Sequence, residues 1–173
     1  MGAYNGLIAL KNQVLNAWKQ IDVQLKRRHD LIPNLVNTVK GYMNFERSTL
    51  EAVIAARNKA VSAQGVAQTA KAEGELSQAL GRLFALTENY PELKSSQNVL
   101  QLQEELTSTE NKIGFARQLY NDVATQYNTR QAQFPTSLVA GLAKASPAEL
   151  WQIEDAAERA VPTVDLSLDK PAV

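Results

Sequence analysis

The sequence predicts an all-α fold: an antiparallel up-and-down four-helix bundle with long first and fourth helices, plus a short C-terminal helix. Three observations carry this. Aromatic residues are only 6% of the 173, and much of the 45% apolar content is alanine, which favours helices with small contact residues over a β-rich core. Apolar positions recur every seven residues over 7–42. The same repeat returns over 99–134. Two long seams then flank two shorter helical stretches.

The first helix is expected over residues 4–42. One column of its repeat is Leu7, Val14, Ile21, Arg28, Leu35 and Tyr42, and the other is Lys11, Trp18, Leu25, Ile32 and Val39. That is a seam with two inward positions per heptad. Pro33 lies inside it, and an interior proline lacks an N–H and crowds the preceding turn. The register passes through it unchanged, so one long helix kinked near 29–33 is preferred. The other reading is a new helix capped by Asp30. Gly41 marks the end, and Asn44 or Ser48 opens the next helix. The second helix carries Leu50, Val53, Ile54, Arg57 and Val61 and fades near Gly65. Residues 64–75 are polar and alanine-rich, and read as a loop or a frayed helix start. The third helix carries Leu76, Leu80, Leu83 and Leu86 and stops near Tyr90, because Pro91 follows.

Ser95 and Ser96 are N-cap candidates for the fourth helix. Its columns are Val99, Leu106, Ile113, Tyr120, Tyr127 and Phe134, and Leu102, Thr109, Ala116 and Val123. Pro135 ends it. Further on, Ser146-Pro147-Ala148-Glu149 has the form of a cap, a first-turn proline and an acidic first turn, so a short helix is expected over 147–160. An extended tail follows.

Composition removes several chemistries. There is no cysteine, hence no disulfide, thiolate metal site, iron–sulfur cluster or cysteine nucleophile. His29 is the single histidine, so a multi-histidine zinc site is excluded. Lysine plus arginine number 18 and aspartate plus glutamate 18, and a net charge of zero gives no electrostatic reason to bind nucleic acid. The length fits one domain with a tail. No run of about 20 apolar residues crosses a membrane, and Met1-Gly2-Ala3-Tyr4 lacks the basic and apolar regions of a signal peptide.

Lys26-Arg27-Arg28-His29-Asp30 is the densest charged block. It reads either as an anion or headgroup site or as a solvated face with local pairs to Asp22 or Asp30. Arg28 differs from its neighbours because it falls on the seam, where a buried arginine needs a partner. The expected partner is Glu104, Glu105 or Glu110 of the fourth helix, with Arg27 as the alternative donor. A di-iron carboxylate site needs Glu-x-x-His, and Lys26 stands three residues before His29. No nucleophile elbow surrounds Ser48, Ser95 or Ser96, and Lys94-Ser95 lacks the glycines of a phosphate loop. No catalytic, metal or cofactor residues are therefore assigned. Asn5, Asn12, Asn16, Asp22, Gln103, Asn111, Asn121 and Asn128 lie near the seams, and read as fixing helix register or as lining a polar groove.

Several stretches carry a family resemblance. Tyr4-Asn5-Gly6-Leu7, Asn16-Ala17-Trp18, the block from Gln20 to Val36 with its Arg27-Arg28-His29-Asp30-Leu31-Ile32-Pro33, Val39-Lys40-Gly41-Tyr42 and Glu88-Asn89-Tyr90-Pro91 are similar to the LemA family of bacterial proteins. So are Leu102-Gln103-Glu104-Glu105-Leu106, Thr109-Glu110-Asn111-Lys112-Ile113, Tyr120-Asn121 and Tyr127-Asn128-Thr129. The resemblance covers residues 4–142. It implies a four-helix bundle behind a single-pass N-terminal anchor in the bacterial cell membrane, with no established enzymatic activity, and one relative takes part in building magnetosome membranes. On this reading residues 1–3 are the remnant of a deleted anchor, 4–142 the bundle, and 143–173 a short helix and tail. Family members carry an aromatic-rich stretch near 143–153, of which only Trp151 remains here. Lys26 would stand roughly 33 Å from the membrane end of an upright first helix, far from headgroups.

The functional expectation is a non-enzymatic, membrane-tethered bundle that binds or scaffolds a protein partner of the cell envelope. The alternative is a small-ligand or anion-binding module using Arg27, Arg28 and Glu110. The residues expected to form its polar network are Asn5, Trp18, Asp22, Arg27, Arg28, Asp30, Asn34, Glu105, Glu110, Asn111, Arg117, Tyr120 and Asn121.

Overall fold

The computed structural model describes residues 1–42, 46–133 and 136–151. Among them the regular structure is entirely helical: α1 (Gly2–Lys40), α2 (Arg47–Ser62), α3 (Val66–Thr87), α4 (Pro91–Lys94), α5 (Gln97–Ala132) and α6 (Thr136–Val139).

The seam of α1 forms as its spacing predicts. Leu7, Val14, Ile21, Arg28 and Leu35 of one column are buried, as are Leu25, Ile32 and Val39 of the other. The last expected member, Tyr42, lies beyond the helix and is 47% exposed. Lys40 closes the last turn, where its charge suits the helix dipole, and Gly41 caps it. A new helix at Asp30 is not seen, because α1 runs unbroken through Pro33. The pyrrolidine ring leaves the carbonyl four residues back, that of His29, without its helical donor. Arg57 of α2 supplies one: its Nε donates to His29 O at 3.0 Å. The proline is thus tolerated where a neighbouring helix fills the missing bond.

α2 is narrower in its contacts than the sequence suggests. Leu50, Val53 and Ala60 are buried, whereas Ile54 and Val61 are exposed. It opens after Glu46 rather than at Ser48, and Asn44 lies outside the described residues. The larger difference is at α3. From Val66 onward the polar stretch 64–75 is neither loop nor frayed end, but the first half of a 22-residue helix. Gly65 sits at φ +79°, a backbone open to glycine, and turns the chain into Val66. From there Thr69, Ala72, Glu73, Leu76, Ala79, Leu80 and Leu83 form one buried stripe. Pro91 starts α4 at the position where its missing N–H costs nothing. Ser96 then caps α5, accepting from Val99 N at 3.4 Å.

In α5 the first column, Val99, Leu106, Ile113, Tyr120 and Tyr127, is buried. Thr109 of the second is buried, and Leu102, Ala116 and Val123 are half-buried. Phe134 and Pro135 lie outside the described residues. α5 packs along α1, α2 on α3, and α2 on α1. The side chains form two cores. Ile32, Leu35 and Val39 of α1 gather Leu50 and Val53 of α2, Leu76 and Leu83 of α3, Leu93, and Val99 and Leu106 of α5. Leu7, Val14 and Ile21 of α1 meet Ile113, Tyr120 and Tyr127 of α5, with Ala70, Ala143 and Trp151. α1 and α5 are therefore antiparallel. At one end the α2–α3 pair joins them; at the other the chain returning after α6 does.

Candidate interaction site

Arg28 is buried to 3% exposure and does find an acidic partner, but not on α5. Its Nη2 donates to Glu73 Oε2 at 2.6 Å and to the Glu73 carbonyl at 2.9 Å, and its Nη1 to Ser77 Oγ at 3.0 Å. His29 Nε2 meets the other carboxylate oxygen, Glu73 Oε1, at 2.5 Å. The expected pairing of Arg28 or Arg27 with Glu104, Glu105 or Glu110 is corrected on this point. On α5 the inward positions are 102, 106, 109 and 113, so Glu104 and Glu110 lie beside the seam and are exposed. Glu73 lies on the buried stripe of α3. Arg27 is exposed, and among the described residues no ion pair links it to Glu110. Both oxygens of the Glu73 carboxylate are held, and Nη1 and Nη2 of Arg28 are both engaged, while Arg28 Nε is buried with no partner among the described residues.

A second constellation lies on α5. Asn128 Nδ2 donates to Ala148 O at 2.9 Å, while Ala148 N donates to Asn128 Oδ1 at 2.6 Å. Two turns earlier, Asn121 treats Trp151 the same way, with Nδ2 to Trp151 O at 3.0 Å and Trp151 N to Oδ1 at 2.9 Å. Gln131 Nε2 donates to Ser146 O at 3.0 Å, and the Tyr120 hydroxyl to Glu149 O at 2.8 Å. Seven residues of helix and three of extended chain both span roughly 10 Å, so the two spacings match. This explains why residues 147–151 are not helical, although Ser146-Pro147-Ala148-Glu149 looks like a helix start. The C=O groups at 148 and 151 and the Trp151 N–H, which a helix would use, are held by side-chain amides, as is the Ala148 N–H. Residues 152–160 of the expected helix lie outside the described residues.

Trp151 closes this face. It is 5% exposed, and its ring centroid lies 6.1 Å from that of Trp18, which lies 5.5 Å from Tyr120. Such tilted pairs add to plain apolar burial. Beside it, Glu110, Asn111, Arg117, Asn121 and Trp151 line an open groove of about 440 Å³. A second groove, of about 560 Å³, runs between α1 and α5, with Ala17, Phe115, Ala116, Leu119 and Val123 on its walls. Phe115 is 73% exposed and Leu119 52%.

The expected polar network thus separates into parts. Trp18, Tyr120 and Asn121 converge on Trp151, and Glu110, Asn111 and Arg117 line the groove next to it. Arg28 belongs to the buried cluster. Asn5, Asp22, Arg27, Asp30 and Asn34 are exposed along α1, and Glu105 is half-buried. Sequence reasoning missed Glu73, Ser77 and the main-chain role of Asn128 and Gln131. The spacing 69–73–76–80–83 was the available signal for Glu73, and the seven-residue interval from Asn121 to Asn128 the signal for the pair.

Burial, and next the Glu149 carboxylate, push the Tyr120 hydroxyl above its ordinary pKa. A raised folded-state value means that its contribution to stability is fully present below about pH 10, the unfolded value, and is lost as pH rises through the folded one. Denaturation midpoints measured upward from neutral pH should fall more steeply in the natural chain than in Tyr120→Phe. Parallel pH profiles would refute this.

The LemA family profile matches residues 17–166. Protein LemA of Metamycoplasma hominis is 32% identical over 142 residues, which cover 81% of this chain and 64% of that protein. Magnetosome protein MamQ 2 of Paramagnetospirillum magneticum is 24% identical over 189 residues, 94% of this chain and 70% of that protein. Magnetosome protein MamQ of Magnetospirillum gryphiswaldense is 23% identical over 163 residues, 79% of this chain and 60% of that protein. The chain therefore spans less than two thirds of the length of the LemA protein it matches. With the profile covering residues 17–166 of the 173, the chain belongs to the LemA family.

Proposed function

We propose that this chain is a non-enzymatic, membrane-tethered helical scaffold that holds another cell-envelope protein. The observation that carries the reading is the groove of Ala17, Phe115, Ala116, Leu119 and Val123. It lies where α1 and α5 continue beyond the α2–α3 pair, and exposed apolar side chains around a concavity suit a protein surface. Its rim is Gln13, Asn16 and Gln20, uncharged groups that suit a protein better than an anion. Four helices share the core around Ile32 and Leu83, which supports an up-and-down four-helix bundle at that end. Similarity to LemA and to magnetosome proteins supports a place at a membrane. No helix among the described residues is long and apolar enough to cross one, so the tether in this reading is a separate segment on the N-terminal side of α1.

The anion-binding alternative loses its central residue, since Arg28 is already engaged by Glu73 and Ser77. Photo-crosslinking from position 115 or 119 in the membrane-anchored full-length protein tests the scaffold reading. It should give a discrete partner band that Ala116→Arg removes. An identical crosslinking pattern from position 78, exposed on α3, would overturn it.

A further inference from the structure

We infer that the α5 face bearing Asn121, Asn128 and Gln131 is a polypeptide-binding site that reads main chain, and that it takes residues 146–151 of a second copy of this chain in exchange for its own. The inference rests on the reading of the protein as an interaction module.

The chemistry of the site is that of a receptor for extended chain. A side-chain amide carries one donor edge and one acceptor, the same pair that a peptide group offers. Asn121 and Asn128 each use both toward a single residue, as a neighbouring β-strand would. Such bonds select an extended backbone, not a sequence. Selectivity comes from two places. Ala148, half-buried against Asn128, asks for a small side chain, and the site beside Trp18 and Tyr120 asks for an aromatic one three residues later. Pro147 holds Ser146, the residue before it, in the extended region that the site receives.

The occupant follows from the same geometry. Residues 146–151 are held by side chains of α5 and by packing of Trp151, with none of the six bonds belonging to a helix or sheet of the segment itself. A second copy brings an identical segment, and its contacts would be those already seen, so exchange sacrifices no bond. A zero net charge sets up no general repulsion between copies. Tethering to a shared surface would raise the effective concentration of one segment at its neighbour's site. Within one copy the attached segment competes, which lowers the apparent affinity for any free one.

The test titrates a labelled, C-terminally amidated peptide of residues 145–151 into the full chain carrying Trp151→Ala. Ala148→Pro, which removes the N–H that Asn128 accepts and adds a ring where the site holds a small side chain, serves as second variant if loss of the indole unfolds the chain. Saturable binding is expected, at least about tenfold tighter than to the unsubstituted chain because the attached segment is weakened. Adding Asn128→Ala should abolish it. Mixing donor-labelled natural chain with acceptor-labelled Trp151→Ala chain should give energy transfer, lost with the same Asn128→Ala. Absence of saturable binding in both variants, or binding indifferent to Asn128→Ala, overturns the site. Peptide binding without energy transfer overturns the second copy as occupant and points to a segment of another protein. Crosslinking from position 119 is independent of these results, so the scaffold reading fails or stands separately.

Discussion

Replacing Glu73 with alanine is expected to destabilise the protein by about 3–5 kcal/mol, the range for removing one partner of a buried ion pair. The side chains of Arg28 and Glu73 are only 3% and 4% exposed. With the carboxylate gone, Arg28 keeps the Glu73 carbonyl and Ser77 Oγ, both uncharged, and its cation stays out of water. His29 loses its partner as well. Arg28→Met should be costly for the converse reason, leaving a buried carboxylate to His29 alone. Arg28→Met combined with Glu73→Leu should recover most of the loss, because a buried pair gains little over apolar side chains of similar volume. Urea denaturation followed by far-UV circular dichroism measures all three. Single losses below about 1 kcal/mol, as for exposed pairs, would sink the argument. Arg47–Glu51, whose side chains are 86% and 64% exposed, is the internal control that should show such a small value.

Arg57→Ala should cost about 1 kcal/mol in the natural chain, the net worth of a typical hydrogen bond, since the contact is part-buried. The group is the His29 carbonyl, which Pro33 deprives of its helical donor and Arg57 restores. In a Pro33→Ala background the amide of residue 33 can donate to that carbonyl, and Arg57→Ala should then cost much less. Pro33→Ala alone should stabilise α1, since proline is about 3 kcal/mol poorer than alanine in a helix interior. The double-mutant cycle isolates the coupling. Equal costs for Arg57→Ala in both backgrounds would show that the bond across the helices does not compensate the proline.

What the sequence made legible is the part dictated by regular spacing. The columns through Leu7, Val14 and Ile21 and through Val99, Leu106 and Ile113 are buried as their period requires. Arg28 was legible as a buried charge from its seam position, but the identity of its partner was not. Glu73 stands between Ala72 and Gly74, in a stretch with few large apolar residues to mark an inward face, although its alanine, lysine and glutamate suit a helix. Packing of α3 on α2, with Glu73 held by Arg28 of α1, is what assigns the stretch its inward face. Residues 147–151 show an override. Their local signals specify a helix start, and Asn128 and Asn121, 20 and 30 residues away in the chain from Ala148 and Trp151, hold them non-helical. Pairings of that kind leave no periodic trace.

The antiparallel course of α1 and α5 also fixes how the molecule would respond to force. α1 is 39 residues, roughly 58 Å of helix. Its first residues and the last turns of α5 lie at the same end, so opposing pulls on them would peel the two helices apart one turn at a time rather than slide them as a block. The contacts of Leu7, Val14 and Ile21 with Tyr127, Tyr120 and Ile113 stand first in that line. The Arg28–Glu73 cluster comes later, beyond the two-helix stretch, as the point where peeling would meet its steepest resistance.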